Sequence, residues 1–281
     1  MVNDEGARGP ATAARVFPLG AIAGDVIGSV HEHTRTKTTA FPLFTSGSQF
    51  TDDSVLTVAV ADALANGRGY AEALRGWARA YPWAGYGGTF RRWMRTDGAG
   101  PYGSFGNGSA MRVSPVGWAR ATVEEVLEEA KRSAEVTHDH EEGIKGAQAI
   151  ALSVFLARTG ASKDVIRSEI TARFGYDLSR RLDDVRSWYL FDVSCQGSVP
   201  EALIAFLESE GWEDAVRKAI SLGGDADTQG CMAGAVAEAF YGEVPAEIAR
   251  EVISRLDDRI RGTMAGFAAV ALPILRGGGV G

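Results

Sequence analysis

The chain has 281 residues with 29 Lys plus Arg against 36 Asp plus Glu, a formal charge of -7, and without a dense basic stripe this balance argues against binding bare duplex nucleic acid through phosphate neutralisation. Hydrophobic residues at 45% and charged residues at 23% describe a soluble globular protein with a large core, in one domain since no linker favours two, and no apolar run is long enough for a membrane span. Cys195 and Cys231, the two cysteines, form no Cys-x-x-Cys pair, so neither zinc nor a redox motif is suggested and a reduced, cytoplasmic setting is the simplest inference.

Residues 1–15 are rich in Gly, Ala, Pro and charge without periodicity, and the stretch from Met1 to Gly9 has none of the apolar core of a signal peptide. They read as a flexible tail, with the folded domain spanning 16–275 and a second flexible tail at 276–281. The segment Phe17 to Gly28 is apolar with glycines at 20, 24 and 28. Small residues four apart let helices approach closely, so the spacing predicts a central buried helix. Asp25 falls on the same stripe, where a carboxylate needs a partner, and the plainest one is a hydrogen bond to a neighbouring helix start. Glu32 follows, flanked by His31 and His33. Successive helical residues point about 100° apart and cannot all face one ion, so the two histidines read as bystanders. The polar stretch Thr34 to Gln49 reads as a long loop covering a site.

Thr51-Asp52-Asp53-Ser54 then precedes a small, apolar run from Val55 to Leu64. Helical spacing recurs over Tyr70 to Tyr81, Val123 to Val136, Glu141 to Arg158, Lys163 to Phe174, Pro200 to Leu207, Trp212 to Ser221, Thr228 to Tyr241 and Pro245 to Asp257. In Val123, Val126, Leu127 and Ala130 the apolar stripe lies opposite Glu124, Glu125, Glu128 and Glu129. No series of alternating strands competes with this, and the expected fold is all-α, a compact single-domain helical globule.

Between the helices lies Pro101-Tyr102-Gly103-Ser104-Phe105-Gly106-Asn107-Gly108-Ser109-Ala110-Met111-Arg112. Its glycines can present backbone N–H groups to an anion at a helix start, while Tyr102 or Phe105 can stack on a base. It lacks a Walker lysine and a preceding strand, and glycine-rich loops are more often plain turns. Arg112 pairs either a phosphate or a carboxylate such as Asp25, and both readings stay open. His138 can donate to a phosphate, bind a metal, or simply satisfy a terminal carbonyl. The group Trp188-Tyr189-Leu190-Phe191 reads as packing rather than a ligand stack.

Near the end of the chain, Gly223-Gly224-Asp225-Ala226-Asp227-Thr228 sets two carboxylates and a hydroxyl on a turn that glycine lets bend tightly. These are hard oxygen ligands, as are those of Thr51, Asp52 and Asp53. Taken singly, each cluster more often caps the helix that follows. Taken together, two such clusters at helix starts can face one another across a cleft and hold one or two Mg²⁺ or Mn²⁺ ions.

Five motifs in order, Gly24-Asp25-x-x-Gly28-x-x-x-Glu32, Thr51-Asp52-Asp53-Ser54, Gly106-Asn107-Gly108-Ser109-Ala110-Met111-Arg112, Thr137-His138 and Gly223-Gly224-Asp225-Ala226-Asp227-Thr228, give a sequence that resembles the ADP-ribosylglycohydrolase family from about 16 to 241. The resemblance implies an all-α orthogonal fold with two Mg²⁺, or Mn²⁺, held by Thr51, Asp52, Asp53, Asp225, Asp227 and Thr228. It implies that Tyr102, Gly103, Ser104, Phe105, Gly106, Asn107, Gly108, Ser109, Met111 and His138 hold the ADP-ribose, with Glu32 as acid or base. The activity implied is hydrolysis of the glycosidic bond between ADP-ribose and a protein side chain or small-molecule acceptor, and of the chain only the loop from Thr34 to Gln49 and the region from Tyr81 to Arg95 can discriminate among acceptors. The alternative is a non-catalytic ADP-ribose-binding pseudoenzyme or structural protein, against which the intact ligand positions weigh. A third reading is a phosphohydrolase of the diphosphate. Where members acting on dinitrogenase reductase carry an Asp before the Gly-Asn-Gly motif, this chain reads Ser104-Phe105, which counts against carrying over their arginine specificity. Ser54 stands where Thr is frequent and keeps the hydroxyl.

Overall fold

The computed structural model describes residues 18–277. In chain order its helices are α1 (Leu19–Gly28), α2 (Asp52–Asn66), α3 (Tyr70–Ala80), α4 (Gly88–Arg95), α5 (Gly108–Met111), α6 (Ser114–Ala119), α7 (Val123–Glu135) and α8 (Glu141–Arg158). They continue as α9 (Lys163–Phe174), α10 (Leu182–Trp188), α11 (Cys195–Leu207), α12 (Trp212–Ile220), α13 (Ala226–Tyr241), α14 (Ala246–Ser254) and α15 (Asp258–Gly277). Among the described residues there is no strand, only an isolated bridge between Gly106 and Ser194, and the fold is a single all-α domain. None of these helices is long and apolar enough to cross a membrane. The expected tail at 1–15 lies outside the described residues, as do 278–281, while α15 runs on to Gly277.

The frame is built on one helix pair. α1 packs more extensively on α13 than any other two helices pack together, and glycine makes this possible. A Cβ on Gly24 would stand 1.9 Å from the Gly230 carbonyl oxygen, one on Gly20 2.3 Å from that of Gly234, and one on Gly28 2.5 Å from that of Ala226. The predicted stripe at 20, 24 and 28 thus meets a matching one on α13, backbone against backbone. α1 has no side-chain cap of its own. Buried Glu238, near the far end of α13, supplies it by accepting the N–H groups of Leu19 and Gly20 at 3.1 and 2.7 Å.

Other helices gather round this pair, α11, α12 and α8 against α13, and α3 and α15 against α2. Their ends follow local chemistry: Thr122 and Glu125 form a capping box on α7, and Gly67, Gly175 and Gly242 close α2, α9 and α13 in the left-handed region. The structure extends α11 back to Cys195, because the Ser194 hydroxyl accepts the Gly197 N–H and so starts the helix ahead of Pro200. Helices α4, α10 and α15 were not expected from periodicity. In the short α4 only Phe90, Trp93 and Met94 face inward, too few to establish a period.

The segment Thr34 to Gln49 is a loop, as expected, but a tethered one. Lys37 Nζ donates to the carbonyls of Arg186, Tyr189 and Leu222 at 3.0, 2.6 and 2.5 Å. Arg217 binds the carbonyls of Thr39 and Phe41, and Arg255 binds that of Ser48.

Candidate active site

The α1–α13 contact fixes where the acidic residues meet. From α1, Asp25 accepts the backbone N–H groups of Thr51 and Ser54 at 2.9 and 3.0 Å, the Thr51 hydroxyl at 2.7 Å, and the Ser54 hydroxyl. It is therefore the helix-start partner expected of it, and it holds the first turn of α2 against α1. Thr51 also serves as a cap, accepting the Asp53 N–H. The opposite turn behaves differently. Gly223 takes φ +67°, and the chain there passes so near segment 34–49 that a Cβ would stand 3.0 Å from the Thr36 carbonyl oxygen. Asp225 follows, yet its side chain makes no cap. It accepts instead from the Asn107 amide at 2.7 Å, across the cleft.

Two carboxylate groupings result. Oxygens of Asp25, Asp53 and Asp227 lie within 4.8 Å of one another, as do oxygens of Glu32, Asp225 and Asp227. Asp227 belongs to both. The hydroxyls of Thr51 and Thr228 each approach Asp53 Oδ2 at 3.3 Å, whereas Asp53 Oδ1 is buried with no hydrogen-bond partner. Asp52 stands at the edge, with Oδ1 facing Gly85. Burial, and then the neighbouring carboxylates, push Asp52 up to about 8 and hold Asp53 and Asp227 well above the usual range. Burial lifts Asp25 to about 6 against the pull of its hydrogen bonds. Glu32 is raised by burial and by the Asp225 charge.

A buried carboxylate oxygen without a donor, beside other carboxylates, is an arrangement that a bound cation resolves. Carboxylate and hydroxyl oxygens are the donor set of Mg²⁺, Mn²⁺ or Ca²⁺ rather than of a thiophilic metal. The residues present fit such an ion.

These groups form the floor of a cleft of about 620 Å³, a volume suited to a small-molecule ligand. Of the residues expected to bind substrate, Tyr102, Ser104, Gly106, Asn107, Gly108, Met111 and His138 line its wall. Three do not. Gly103 turns away at φ +66° and donates to Asp139, Phe105 sits half-exposed against the His140 ring, and fully buried Ser109 donates to the Gly143 carbonyl to pin α5 on α8.

The 81–95 region, expected with the 34–49 loop to discriminate the acceptor, gives Trp83, Gly85, Gly87 and Gly88 to the wall, whereas Phe191 and Val193 were not expected there. Trp188, Leu190 and Phe191 are exposed rather than packed, and only Tyr189 of that group is buried. His31 packs at a tilt against Phe41 and bonds Thr36, whereas His33 reaches the cleft 3.5 Å from Glu32. Arg112 pairs no carboxylate. It is wholly buried and gives Nη2 to the Ser133 carbonyl and the Thr137 hydroxyl.

Comparison with known proteins places this geometry. The pattern of the ADP-ribosylglycohydrolase family matches residues 12–273. The chain is 32% identical to the ADP-ribosylhydrolase ARH3 of Gallus gallus over 50% of its length and 51% of that protein, so the match spans about half of that relative. It is 28% identical to ARH3 of Mus musculus over 79% of this chain and 82% of that one. It is 27% identical to the ADP-ribosylarginine hydrolase Tri1 of Pseudomonas putida (strain GB-1), over 80% and 69%. A solved structure titled ADP-ribosylglycohydrolase-related protein complex superimposes with a TM-score of 0.70 at 24% identity, covering 92% of this chain and 98% of that one, a likeness of fold.

Proposed function

The chain belongs to the ADP-ribosylglycohydrolase family, and on that footing we propose that it is a divalent-cation-dependent hydrolase that cleaves the glycosidic bond between ADP-ribose and an acceptor. The observation that carries the reading is the convergence of Asp53, Asp225 and Asp227 with Thr51 and Thr228, leaving Asp53 Oδ1 buried and unpartnered. Thr51, Asp52, Asp53, Asp225, Asp227 and Thr228 hold Mg²⁺ or Mn²⁺ there, two ions by the resemblance. When bound, the ions supply positive charge that orders the ribose hydroxyls and water.

The protein groups do the rest. Asn107, anchored on Asp225, and the glycines beside it bring the Gly106–Gly108 loop close to the acidic floor. Tyr102 and His138 on the same wall receive the diphosphate and adenosine parts. Glu32, 32% exposed at its side chain and close to Asp225 and Asp227, either takes a proton from water or gives one to the leaving group. As the bond breaks, charge on the ring carbon is positive, and the carboxylates around it favour that charge. One relative is an ADP-ribosylarginine hydrolase, and the acceptor here is either a protein side chain or a small molecule.

The test is to incubate the protein with Mg²⁺ and arginine-, serine- and acetyl-linked ADP-ribose and to measure free ADP-ribose. Release from at least one linkage, lost in chelator and in Asp225→Ala, is expected. Normal turnover by Asp225→Ala, or AMP as the product, would overturn it.

A further inference from the structure

Arg112 is the largest of the fully buried side chains, and among the described residues no acidic group pairs with it. Among those residues its Nε and Nη1 have no partner, and Nη2 donates to the Ser133 carbonyl at 3.1 Å and to Thr137 Oγ1 at 2.8 Å. The same hydroxyl lies 2.7 Å from His138 Nδ1. A guanidinium only donates, so Thr137 Oγ1 accepts from Arg112 and keeps a single proton to give. Two acceptors are in range. The Ala134 carbonyl, at 3.5 Å, already accepts the N–H groups of Thr137 and His138 at 3.1 and 2.8 Å. The imidazole nitrogen is much nearer, and it receives the proton.

We propose that Arg112 is a positioning residue which, through the Thr137 hydroxyl, holds His138 as the neutral tautomer protonated on Nε2. Nε2 makes no protein hydrogen bond among the described residues. It faces the cleft under the Gly106–Gly108 loop, where a Cβ on Gly108 would stand 3.2 Å from it. His138 therefore presents an N–H donor to an anionic oxygen on that wall, and it cannot serve as the base. Burial and the Arg112 charge both keep the ring neutral. The guanidinium takes one of the hydroxyl's two lone pairs and so biases the direction of the chain: the reverse arrangement, with Oγ1 accepting from Nδ1–H as well, would have to send its proton to the Ala134 carbonyl at 3.5 Å and would leave Nε2 a lone pair facing an anion. That the oxygen belongs to an ADP-ribose diphosphate rests on the function proposed above.

The chain has four histidines, so long-range ¹H–¹⁵N spectra of the full-length protein labelled at histidine resolve each ring, with His138→Gln identifying the signal. The expected result is a protonated Nε2 and bare Nδ1 in the unsubstituted protein and in Thr137→Ser, which keeps the hydroxyl. In Arg112→Met, where the hydroxyl loses the donor that biases it, the Nδ1–H form appears, and ADP-ribose binding in Mg²⁺, followed by calorimetry, weakens on the order of fivefold, the worth of about one hydrogen bond. A protonated Nδ1 or a doubly protonated ring in the unsubstituted protein overturns the proposal, as does an unchanged tautomer in a folded Arg112→Met protein. If the tautomer is as stated but ADP-ribose does not bind at all, the relay stands and the assigned ligand fails.

Discussion

Replacing Asp53 by Asn is expected to have opposite effects with and without divalent cation. Without it, the wild-type protein holds a buried Oδ1 that no donor satisfies, next to oxygens of Asp25 and Asp227. An amide of the same shape can donate there and removes one like charge from the group. Leaving a buried acceptor unsatisfied costs about 1–3 kcal/mol, and in a chain of this size each kcal/mol moves the melting point by about 2–4 °C. Asp53→Asn in chelator is therefore expected to melt about 2–12 °C above wild type. With Mg²⁺ at roughly 100 times its Kd, wild type gains about 2.7 kcal/mol from binding to the native state alone, or about 5–11 °C. The variant, having lost a ligand oxygen that is also anionic, gains little, and the order of the two melting points reverses. Thermal scans at pH 8 across a Mg²⁺ or Mn²⁺ titration measure this. The reasoning is refuted if Asp53→Asn melts below wild type in chelator while showing the same cation-induced rise.

Three further perturbations probe different parts of the molecule. In Gly24→Ala the new Cβ meets the Gly230 carbonyl oxygen at 1.9 Å and the helices must part, which costs about 1–3 kcal/mol or more; Gly76→Ala, with nothing within 4 Å, is expected to be neutral or stabilising in the same urea titration. Glu238, pushed up to about 8 by burial from an ordinary 4.5, favours its protonated form in the native state, so its contribution to stability is present in full below pH 4.5 and is lost as pH rises through about 8. Urea midpoints from pH 5 to 9 should decline less steeply in Glu238→Gln than in wild type, and parallel curves would count against this. Glu32→Gln is expected to slow ADP-ribose release by about 10²–10⁴-fold while ADP-ribose affinity stays within a few-fold, since a proton donor or acceptor is lost but the floor remains; single-turnover rates and calorimetry separate the two.

Much of this architecture is legible in the amino-acid order because it depends on close approach and on charge. Glycines at 20, 24 and 28 announce a helix that touches another through its backbone, and the partner glycines at 230 and 234 stand in the run that follows the second acidic turn. The two Thr/Asp clusters were likewise visible as oxygen donors. Capping was the plain reading of either cluster alone, and Thr51 does cap its own helix, whereas Asp225 leaves its helix uncapped and reaches Asn107, a difference the sequence did not signal. The wall from Trp83 to Thr89 was legible only as a region, because its glycines contribute shape without functional groups and single out no residue. Short α4 and α10 lack enough turns for a period to emerge, and Pro200 disguised the start of α11 by sitting inside it. Arg112 had two open readings, both with an anion directly opposite, while its nearest partner proved to be a neutral hydroxyl on the way to an imidazole.

The ammonium of Lys37 fastens the 34–49 connector, whose Gly47 and Gln49 line the cleft, to the body of the protein. One of its three carbonyl partners, Leu222, leads directly into Gly223 and Asp225, so the long connector and the acidic bend share a single mooring. A flap hinged there could not swing alone. Any slackening of that mooring would be felt at the turn that carries Asp225, as a change in carboxylate spacing.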